Sequence, residues 1–447
     1  MSERGTWRAA DRAARALALA VVLQGAASAS PWSHGPDPVG QRPPNVIVIL
    51  SDDAGYADFS FQGSGEAATP HIDSIAAGGV RCTNGYVSAS VCSPSRAGLL
   101  TGRYQQRFGH DRNIPPAYSE TNGLPVEEVT LADALRAVGY RTIALGKWHL
   151  GYAPHFHPLS RGFDDYYGFL QGARSYRAIE GTRLNRLLRD REPVAEEFDY
   201  MTDELGAQAA AYITEHAERP FFLYLSFNAV HTPMHATEAD LEAVAEGAKP
   251  KRRKLLAMTR SLDRAVGAVL ERLRELDLER NTVLFFLNDN GGATNNASDN
   301  GSLRGRKGSP FEGGIRIPFL VRWPERLPAG AIYDLPVSTL DVFATALAAA
   351  GAEEAPANLD GVDLVPFLAG RRAGRPHDVL LWRRGDNLAI RSGDWKLVRK
   401  GNGPTLLFDL GIDPGETTDL AADHPQRVAA LGAHWGAWSE QLSQPRW

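Results

Sequence analysis

Cysteine is nearly absent from the chain, which contains only Cys82 and Cys92 among its 447 residues. These two could pair with each other, but they cannot form the disulfide framework that holds many small secreted domains together. The share of hydrophobic residues, 43%, is that of an ordinary soluble globular protein. Cys82 is therefore predicted to be a small core residue. The proline and arginine that follow Cys92 distinguish it from an ordinary buried thiol.

Strong charge, internal repeats and membrane-length apolar segments are also missing. The formal net charge is only -5, which gives no reason to expect nucleic acid or an anionic membrane surface as a partner. No repeat period or low-complexity tract is present. No segment approaches the ~20 apolar residues of a transmembrane helix. The length allows about three domains, although a large α/β enzyme can consist of one lobe with an appendage.

The N-terminal segment has the features of an export signal. Arginines at positions 4, 8, 12 and 15 precede the apolar run 16–23, and small residues at 27–29 suit a signal peptidase. We predict a signal peptide at residues 1–29, cleaved after Ala29, and a periplasmic or extracellular location for the mature protein. Residues 30–44, rich in proline and glycine, are expected to form a short extended lead-in.

From residue 43 onward, apolar strands alternate with amphipathic helices, which is typical of an α/β fold with a mostly parallel sheet between layers of helices. The predicted buried strands are 46–50, 141–145, 221–227 and 282–287, and the predicted helices include 131–138, 203–217 and 253–278. Polar residues follow all four strands, namely Asp52 and Asp53, Lys147 and His149, Asn228 and His231, and Asp289 and Asn290. Ligands of an open α/β sheet bind beyond the carboxyl ends of its strands. We therefore expect these residues to meet at one edge.

Four of these residues form a candidate metal site. Asp52, Asp53, Asp289 and Asn290 provide three carboxylates and an amide, which suit a hard divalent cation such as Ca²⁺ or Mg²⁺. Without a cation the carboxylates would repel one another and one would take up a proton. Either pair alone is also consistent with a helix cap or a tight turn. Their occurrence at two strand ends favours the metal site.

Cationic and proton-transferring side chains accompany the acidic set. Arg96, Lys147 and Lys307 are candidates for neutralising the oxygens of an anionic substrate, although a glycine-punctuated basic loop such as the one around Lys307 is by itself usually a solvated turn. His149 and His231 can transfer protons near neutral pH.

Cys92 begins the run CSPSRAGLLTGR, in which a proline and an arginine follow the cysteine. This run resembles the type I sulfatase signature CxPSR, whose cysteine is oxidised to formylglycine by a maturation enzyme. From about residue 43 to the C-terminus, further segments resemble successive blocks of the same family: PNVIVILSDDAGYADF, GYRTIALGKWHLG, FNAVHTP, NDNGG, GRKGSPFEGGIRIP, RSGDWKLV and LFDLGIDPGETTDLA. The sequence is thus identified as a member of the formylglycine-dependent sulfatases of the alkaline phosphatase superfamily. Asn288 and Cys82 depart from the family pattern, but neither position carries a catalytic group.

The resemblance implies an alkaline phosphatase-like fold and a sulfuric ester hydrolase that needs a cation. Ca²⁺, in preference to Mg²⁺, would be held by Asp52, Asp53, Asp289, Asn290 and one oxygen of the formylglycine made from Cys92. That oxygen, polarised by the metal, would attack the sulfur atom of a sulfate ester. No organic cofactor is expected.

The resemblance also assigns roles to five further side chains. Arg96 would stabilise the hydrated aldehyde, and Lys147 and Lys307 would bind sulfate oxygens. His231, aided by Lys307, would protonate the leaving alcohol. His149 would take a proton from the second hydroxyl of the diol, so that sulfate leaves by elimination and the aldehyde is restored.

The predicted organisation is a signal peptide at 1–29, a catalytic domain at 43–373 and a C-terminal subdomain at 374–447. In the subdomain we expect antiparallel strands at 387–391 and 395–398 joined by a turn at 392–394, a third strand at 406–409 and a closing helix at 424–442. No catalytic residue is assigned to it.

Two other functions are also consistent with the sequence. A phosphodiester or phosphonate ester hydrolase of the same superfamily would use similar groups, and a non-catalytic carbohydrate-binding relative would result if Cys92 stayed a thiol. The export signal favours a sulfated carbohydrate such as a glycosaminoglycan or an algal polysaccharide as substrate. Five residues are predicted near the pocket mouth from their proximity to the motifs: Arg103, His110, Asp111, His155 and His157.

Overall fold

The apolar segments of the chain form the strands of two main sheets. The computed structural model describes residues 42–179 and 185–447, and the predicted signal peptide lies outside them. The strands of the described residues are Asn45–Ser51 (β1), Val80–Cys82 (β2), Gly85–Tyr86 (β3), Arg141–Lys147 (β4), Asp165–Phe169 (β5), Leu188–Arg189 (β6), Glu192–Pro193 (β7), Phe221–Ser226 (β8), Thr282–Asn288 (β9), Phe319–Arg322 (β10), Ala331–Tyr333 (β11), Val337–Ser338 (β12), Leu380–Arg384 (β13), Asn387–Ser392 (β14), Trp395–Arg399 (β15) and Thr405–Asp409 (β16).

The α-helices separate the strands along most of the chain. Those of the described residues are Pro70–Ala77 (α1), Cys92–Thr101 (α2), Leu131–Ala137 (α3), Met201–Glu215 (α4), Glu238–Glu242 (α5), Pro250–Glu275 (α6), Glu312–Ile315 (α7), Asp341–Ala349 (α8), Val365–Leu368 (α9) and Pro425–Ser439 (α10). Among these residues, no helix combines the length and the apolar character needed to cross a bilayer.

The larger sheet has ten strands in the order β11-β2-β10-β9-β1-β8-β4-β5-β6-β7. Its centre is parallel, because β1 pairs in parallel with both β9 and β8, and β8 pairs in parallel with β4. Antiparallel pairs join β10 to β9 and β6 to β5. The predicted mixed, mostly parallel sheet is confirmed, and the four strands that end in polar clusters are neighbours at its centre.

Helices cover both faces of this sheet, as the nearly all-apolar central strands require. In β1, Val46, Val48 and Leu50 point into one apolar core, which also contains residues of α2, α3 and α8. Ile47 and Ile49 point into the other core, which contains residues of α1, α4 and α6. Each such fully buried side chain contributes about 1.5–3 kcal/mol. The burial of β1 on both faces therefore holds the acidic pair that follows it in a rigid position.

Local signals account for several element boundaries. The Thr130 side chain accepts from the backbone N of Asp133, and the Asp133 side chain accepts from the backbone N of Thr130, so that a capping box begins α3 as predicted. Strand β4 continues past the predicted end to Lys147. Gly146, with φ 92°, makes this possible, since a Cβ there would lie 2.1 Å from the carbonyl oxygen of Ser226 on β8.

A separate four-stranded antiparallel sheet, β13-β14-β15-β16, lies near the C-terminus. The predicted hairpin is confirmed by the pairing of β14 with β15, and the predicted third strand is β16. Strand β13 was not predicted. Leu431 and Trp438 of α10 pack on this sheet. The predicted domain boundary after residue 373 falls between α9 and β13, and the division itself stays a prediction.

Candidate active site

The polar clusters that follow β1, β4, β8 and β9 come together at one edge of the large sheet. The backbone N of Asp289 donates to the carbonyl oxygen of Ser51 at 3.1 Å, and the backbone N of Asp52 donates to that of Ala229 at 2.8 Å. These bonds tie the segments after β9 and β8 to the end of β1. Asp53 has a φ of 63°, a left-handed conformation that aspartate tolerates better than most residues.

Cys92 is the first residue of α2 and faces the acidic cluster. Its Sγ lies 3.7 Å from Oδ1 of Asp52 and 3.2 Å from Nζ of Lys307. Ligand atoms of Asp52, Asp53, Cys92 and His231 all lie within 4.8 Å of one another. The residue is only 1% exposed. Burial, followed by the charge of Asp289, raises the pKa of the thiol to about 12, so Cys92 is not a thiolate nucleophile at neutral pH.

The oxygen atoms around Cys92 fit a divalent cation. Oδ2 of Asp53 and Oδ1 of Asn290 are buried without a hydrogen-bond partner. Nδ2 of Asn290 donates to Oδ1 of Asp53 at 2.8 Å, which leaves the amide oxygen as its free acceptor. An unsatisfied buried polar atom costs about 1–3 kcal/mol. Carboxylate and amide oxygens are the ligands that Ca²⁺ and Mg²⁺ prefer, so a cation bound here would satisfy both atoms.

The surroundings of Asp52 and Asp289 shift the pKa values of these two carboxyl groups in opposite directions. Burial and the charge of Asp289 raise the pKa of Asp52, although Lys147 donates to its Oδ2 at 2.5 Å and opposes the shift. Burial would also raise the pKa of Asp289, but Arg96 and then the two lysines of the site outweigh burial and lower it. Without a cation, Asp52 is thus more inclined than Asp289 to take up a proton, as expected for a crowded acidic set.

Arg96 is fully buried on α2 and makes several hydrogen bonds. Its Nε and Nη2 donate to Oδ2 of Asp289 at 3.0 and 2.8 Å. Its Nη1 donates to the carbonyl oxygen of Lys147 at 3.1 Å and to Oγ of Ser226. These contacts join the helix that begins with Cys92 to the ends of three strands, so the guanidinium orients the site.

Lys307 bridges the acidic cluster and the cysteine. Its Nζ lies 2.5 Å from Oδ1 of Asp53, and its side chain is 19% exposed. Burial would lower the pKa of Lys307, but Cys92 and the carboxylates raise it, so the amine is protonated. The loop is anchored rather than solvated, since the backbone N of Lys307 donates to Gly292 at 3.0 Å and that of Gly308 donates to Ser90 at 2.7 Å.

The two histidines have different environments. Nδ1 of His231 lies 2.6 Å from the carbonyl oxygen of Thr232. A carbonyl only accepts, so Nδ1 carries a proton and Nε2, 3.5 Å from Oδ2 of Asp53, faces the site. Nδ1 of His149 is buried without a partner. Burial, and then the charges of Lys147 and its cationic neighbours, lowers the pKa of His149 well below its ordinary value, so its imidazole is neutral and can accept a proton.

The five residues predicted near a pocket mouth have partners within the protein. His110 is fully buried and its ring packs edge-on against Trp447, so it does not face solvent, and a place for these residues near the pocket stays a prediction. The closest polar contacts of the five are Arg103 with Glu128 at 2.6 Å, His110 with Ser93 at 2.6 Å, Asp111 with Arg383 at 2.8 Å, His155 with the carbonyl oxygen of Glu120 at 2.9 Å, and His157 with the backbone N of Leu159 at 3.2 Å.

Several supporting residues were not predicted. Oδ1 of Asn113 accepts from the backbone N of Ser93 at 3.0 Å, next to the cysteine. The carbonyl oxygen of Asp53 accepts from Nδ2 of Asn296 at 3.0 Å and from Oγ of Ser298 at 2.6 Å. The run of asparagine and serine shortly after Asn290 is the signal that could have indicated these last two contacts.

Comparison with known proteins agrees with this geometry. The sulfatase family model matches residues 44–352. N-acetylgalactosamine-6-sulfatase of Canis lupus familiaris is 34% identical over 443 residues, which cover 85% of this chain and 82% of that protein. Arylsulfatase A of Bos taurus is 34% identical over 441 residues, which cover 85% of this chain and 83% of that protein.

Similarity extends to a solved structure, that of Ps i-CgsB in complex with k-i-k-neocarrahexaose. It superposes with a TM-score of 0.86 at 34% sequence identity, and covers 91% of this chain and 95% of that chain. The family match, the relatives and the sheet-edge geometry lead to one conclusion: the chain belongs to the sulfatase family and is a hydrolase of sulfate esters.

Proposed function

We propose that this sulfatase removes sulfate from a sulfated carbohydrate, using a formylglycine made from Cys92 and a bound Ca²⁺ ion. The observation that carries the proposal is the position of Cys92 between Asp52 and Lys307, beside two buried oxygens without partners. Relatives that act on N-acetylgalactosamine sulfates and a similar structure with a bound neocarrahexaose support a saccharide substrate. A periplasmic or extracellular location, through the signal peptide at residues 1–29, is part of the same proposal.

The cation would be held by Asp52, Asp53, Asp289 and Asn290. When bound, it supplies positive charge that stabilises the deprotonated form of a hydroxyl placed where Sγ of Cys92 now lies. Ca²⁺ tolerates irregular sets of oxygen ligands better than Mg²⁺ does.

Formylglycine replaces the thiol with an aldehyde whose hydrate has two hydroxyl groups on one carbon. One of these oxygens attacks sulfur, and the bond between sulfur and the alcohol oxygen of the substrate breaks. The second hydroxyl then loses its proton, the carbon–oxygen double bond forms again, and the bond from that carbon to the sulfate oxygen breaks. Sulfate leaves by elimination, so no water molecule has to attack the covalent intermediate.

The charged residues of the site divide this chemistry among them. Lys147 and Lys307 neutralise sulfate oxygens, while Arg96 orients Asp289 and the start of α2. In this step His231 starts with a proton on both ring nitrogens, donates the one on Nε2 to the leaving alcohol oxygen, and keeps the one on Nδ1 that the carbonyl oxygen of Thr232 accepts. The neutral imidazole of His149 accepts the proton of the second hydroxyl during elimination.

Mass spectrometry of the peptide that contains Cys92 tests the nucleophile. Protein from the native host should contain formylglycine, which has a lower mass than cysteine. An unmodified peptide in active protein would refute the mechanism, and an unmodified peptide in inactive protein would support a carbohydrate-binding role without catalysis.

Substrate comparison tests the reaction. The matured protein should hydrolyse an aryl sulfate far faster than the matching aryl phosphodiester, and a panel of defined sulfated saccharides should show sulfate release. A large preference for the phosphodiester would refute sulfate as the substrate group, and activity limited to simple aryl sulfates would refute the saccharide.

A further inference from the structure

Arg384, the last residue of β13, reaches the loop that carries Lys307. Its Nη1 donates to the carbonyl oxygen of Gly308 at 3.0 Å. Its Nε is buried without a hydrogen-bond partner. The C-terminal sheet thus places a guanidinium with an unused N–H group against Gly308, and Lys307, the residue before that glycine, contacts Cys92.

Arg112 comes from a different segment of the chain and lies near the same strand end. It precedes Asn113, whose side chain binds the backbone N of Ser93 beside Cys92. A Cβ built on Gly385 would lie 3.7 Å from Nη2 of Arg112, so this guanidinium lies next to the residue that follows Arg384. The side chain of Arg112 is exposed.

In the described part of the chain, Arg112 and Arg384 make no direct ion pair, although the charge of Arg112 acts on the carboxylate of Asp111 and favours its ionised form. Asp111, the neighbour of Arg112 in the chain, is buried and already binds Arg383 at 2.8 and 3.1 Å. Burial and the charge of Arg112 lower the pKa of Arg384. Two like charges therefore lie close together beside the catalytic groups, an arrangement that an anion would stabilise.

We propose that Arg112 and Arg384 form a subsite for a second anionic group of the substrate, a sulfate or a carboxylate next to the sulfate ester that is cleaved. The planar N–H groups of arginine match the oxygens of both anions. Exposure of Arg112 keeps this subsite open to solvent, whereas Cys92 is buried. The inference rests on the proposed function and narrows its substrate class to saccharides with at least two anionic groups.

Arg112→Gln tests the subsite most directly, because Arg384 also holds the loop of Lys307. Four substrates are compared. Two have a second anionic group: a disulfated disaccharide and a monosulfated disaccharide with a uronate. Two have only the sulfate ester: a monosulfated disaccharide without a uronate and an aryl sulfate. We expect kcat/KM to fall about tenfold on at least one dianionic substrate. The loss should appear as a higher KM with kcat unchanged, because the guanidinium of Arg112 would bind the second anionic group equally in the substrate and in the transition state. On the two substrates without a second anionic group, kcat/KM should change less than about twofold.

Arg384→Lys provides a second variant, since it keeps a donor near Gly308 but loses the planar fork. It should show the same selective loss. Arg280→Gln is the matched control, because the Arg280 side chain is 80% exposed and precedes β9, at the end of the strand away from the site. It should leave every substrate unchanged.

The outcomes separate this inference from the proposed function. If the matured wild-type protein hydrolyses none of the sulfate esters, the proposed function fails. If it hydrolyses them but Arg112→Gln lowers activity equally on all four substrates, or on none, the subsite is refuted. A selective loss on the disulfated or on the uronate-containing substrate supports the subsite and identifies which anion it binds.

Discussion

His231 allows the proposed proton transfer to the leaving group to be tested quantitatively. Its Nδ1 is fixed by the carbonyl oxygen of Thr232 at 2.6 Å, and its Nε2 points toward the acidic cluster. In His231→Asn, a sugar alcohol would have to leave as a strongly basic alkoxide. A nitrophenol would not, because its anion is already a stable leaving group.

The expected size of the effect follows from this difference. A positioned general acid contributes about 10²–10⁴-fold, which corresponds to about 3–5 kcal/mol of transition-state stabilisation. We therefore expect His231→Asn to lose about 10²–10⁴-fold in kcat/KM on a sugar sulfate. On nitrophenyl sulfate, where little proton transfer is needed, the loss should stay below about tenfold.

The assay is a series of aryl and alkyl sulfates whose leaving groups increase in basicity. A plot of log kcat/KM against the pKa of the leaving alcohol should be steeper for the variant than for the wild type. His434→Asn, at an exposed position of α10, is the control and should match the wild type. Parallel plots for His231→Asn and wild type, with equal metal content, would show that His231 is not the general acid.

Three further predictions concern the nucleophile, the buried ion pairs and pH. Cys92→Ser should fold and bind metal but release alcohol only in an initial burst, because serine lacks the second hydroxyl; sustained turnover would contradict elimination. Arg96→Met should lower the free energy of unfolding in urea by about 3–5 kcal/mol, since it leaves Asp289 buried without its partner; a loss below about 1 kcal/mol would contradict this. Burial opposes protonation of His377, but Asp341, 2.7 Å away, outweighs it and raises the pKa. The stabilisation that His377 adds over His377→Gln should thus be complete below about pH 6.5, the unfolded value. It should disappear as the pH rises through the folded value, and a difference independent of pH in urea unfolding would refute it.

Prediction from sequence succeeded where neighbouring residues dominate the outcome. The apolar run of β1, the capping box of Thr130 and the hairpin of β14 and β15 depend on local propensity and on nearby partners. His110 shows the limit of this approach. Its nearness to the cysteine motif suggested a pocket residue, but sequence distance does not reveal whether a ring faces solvent or, as here, packs against Trp447 from the far end of the chain.

The sequence by itself determined that this chain is a sulfatase and that polar residues follow its four central strands, and it predicted which side chains bear the chemistry. Buried parallel strands are recognisable from continuous apolar runs, and the polar residues after them must meet at one edge. Only the tertiary structure decided which of these groups touch. Cys92 and Lys307 are 215 positions apart, and Arg384 lies 76 positions from the glycine it binds. Such contacts depend on how the sheets and helices pack, which no local periodicity in the chain encodes.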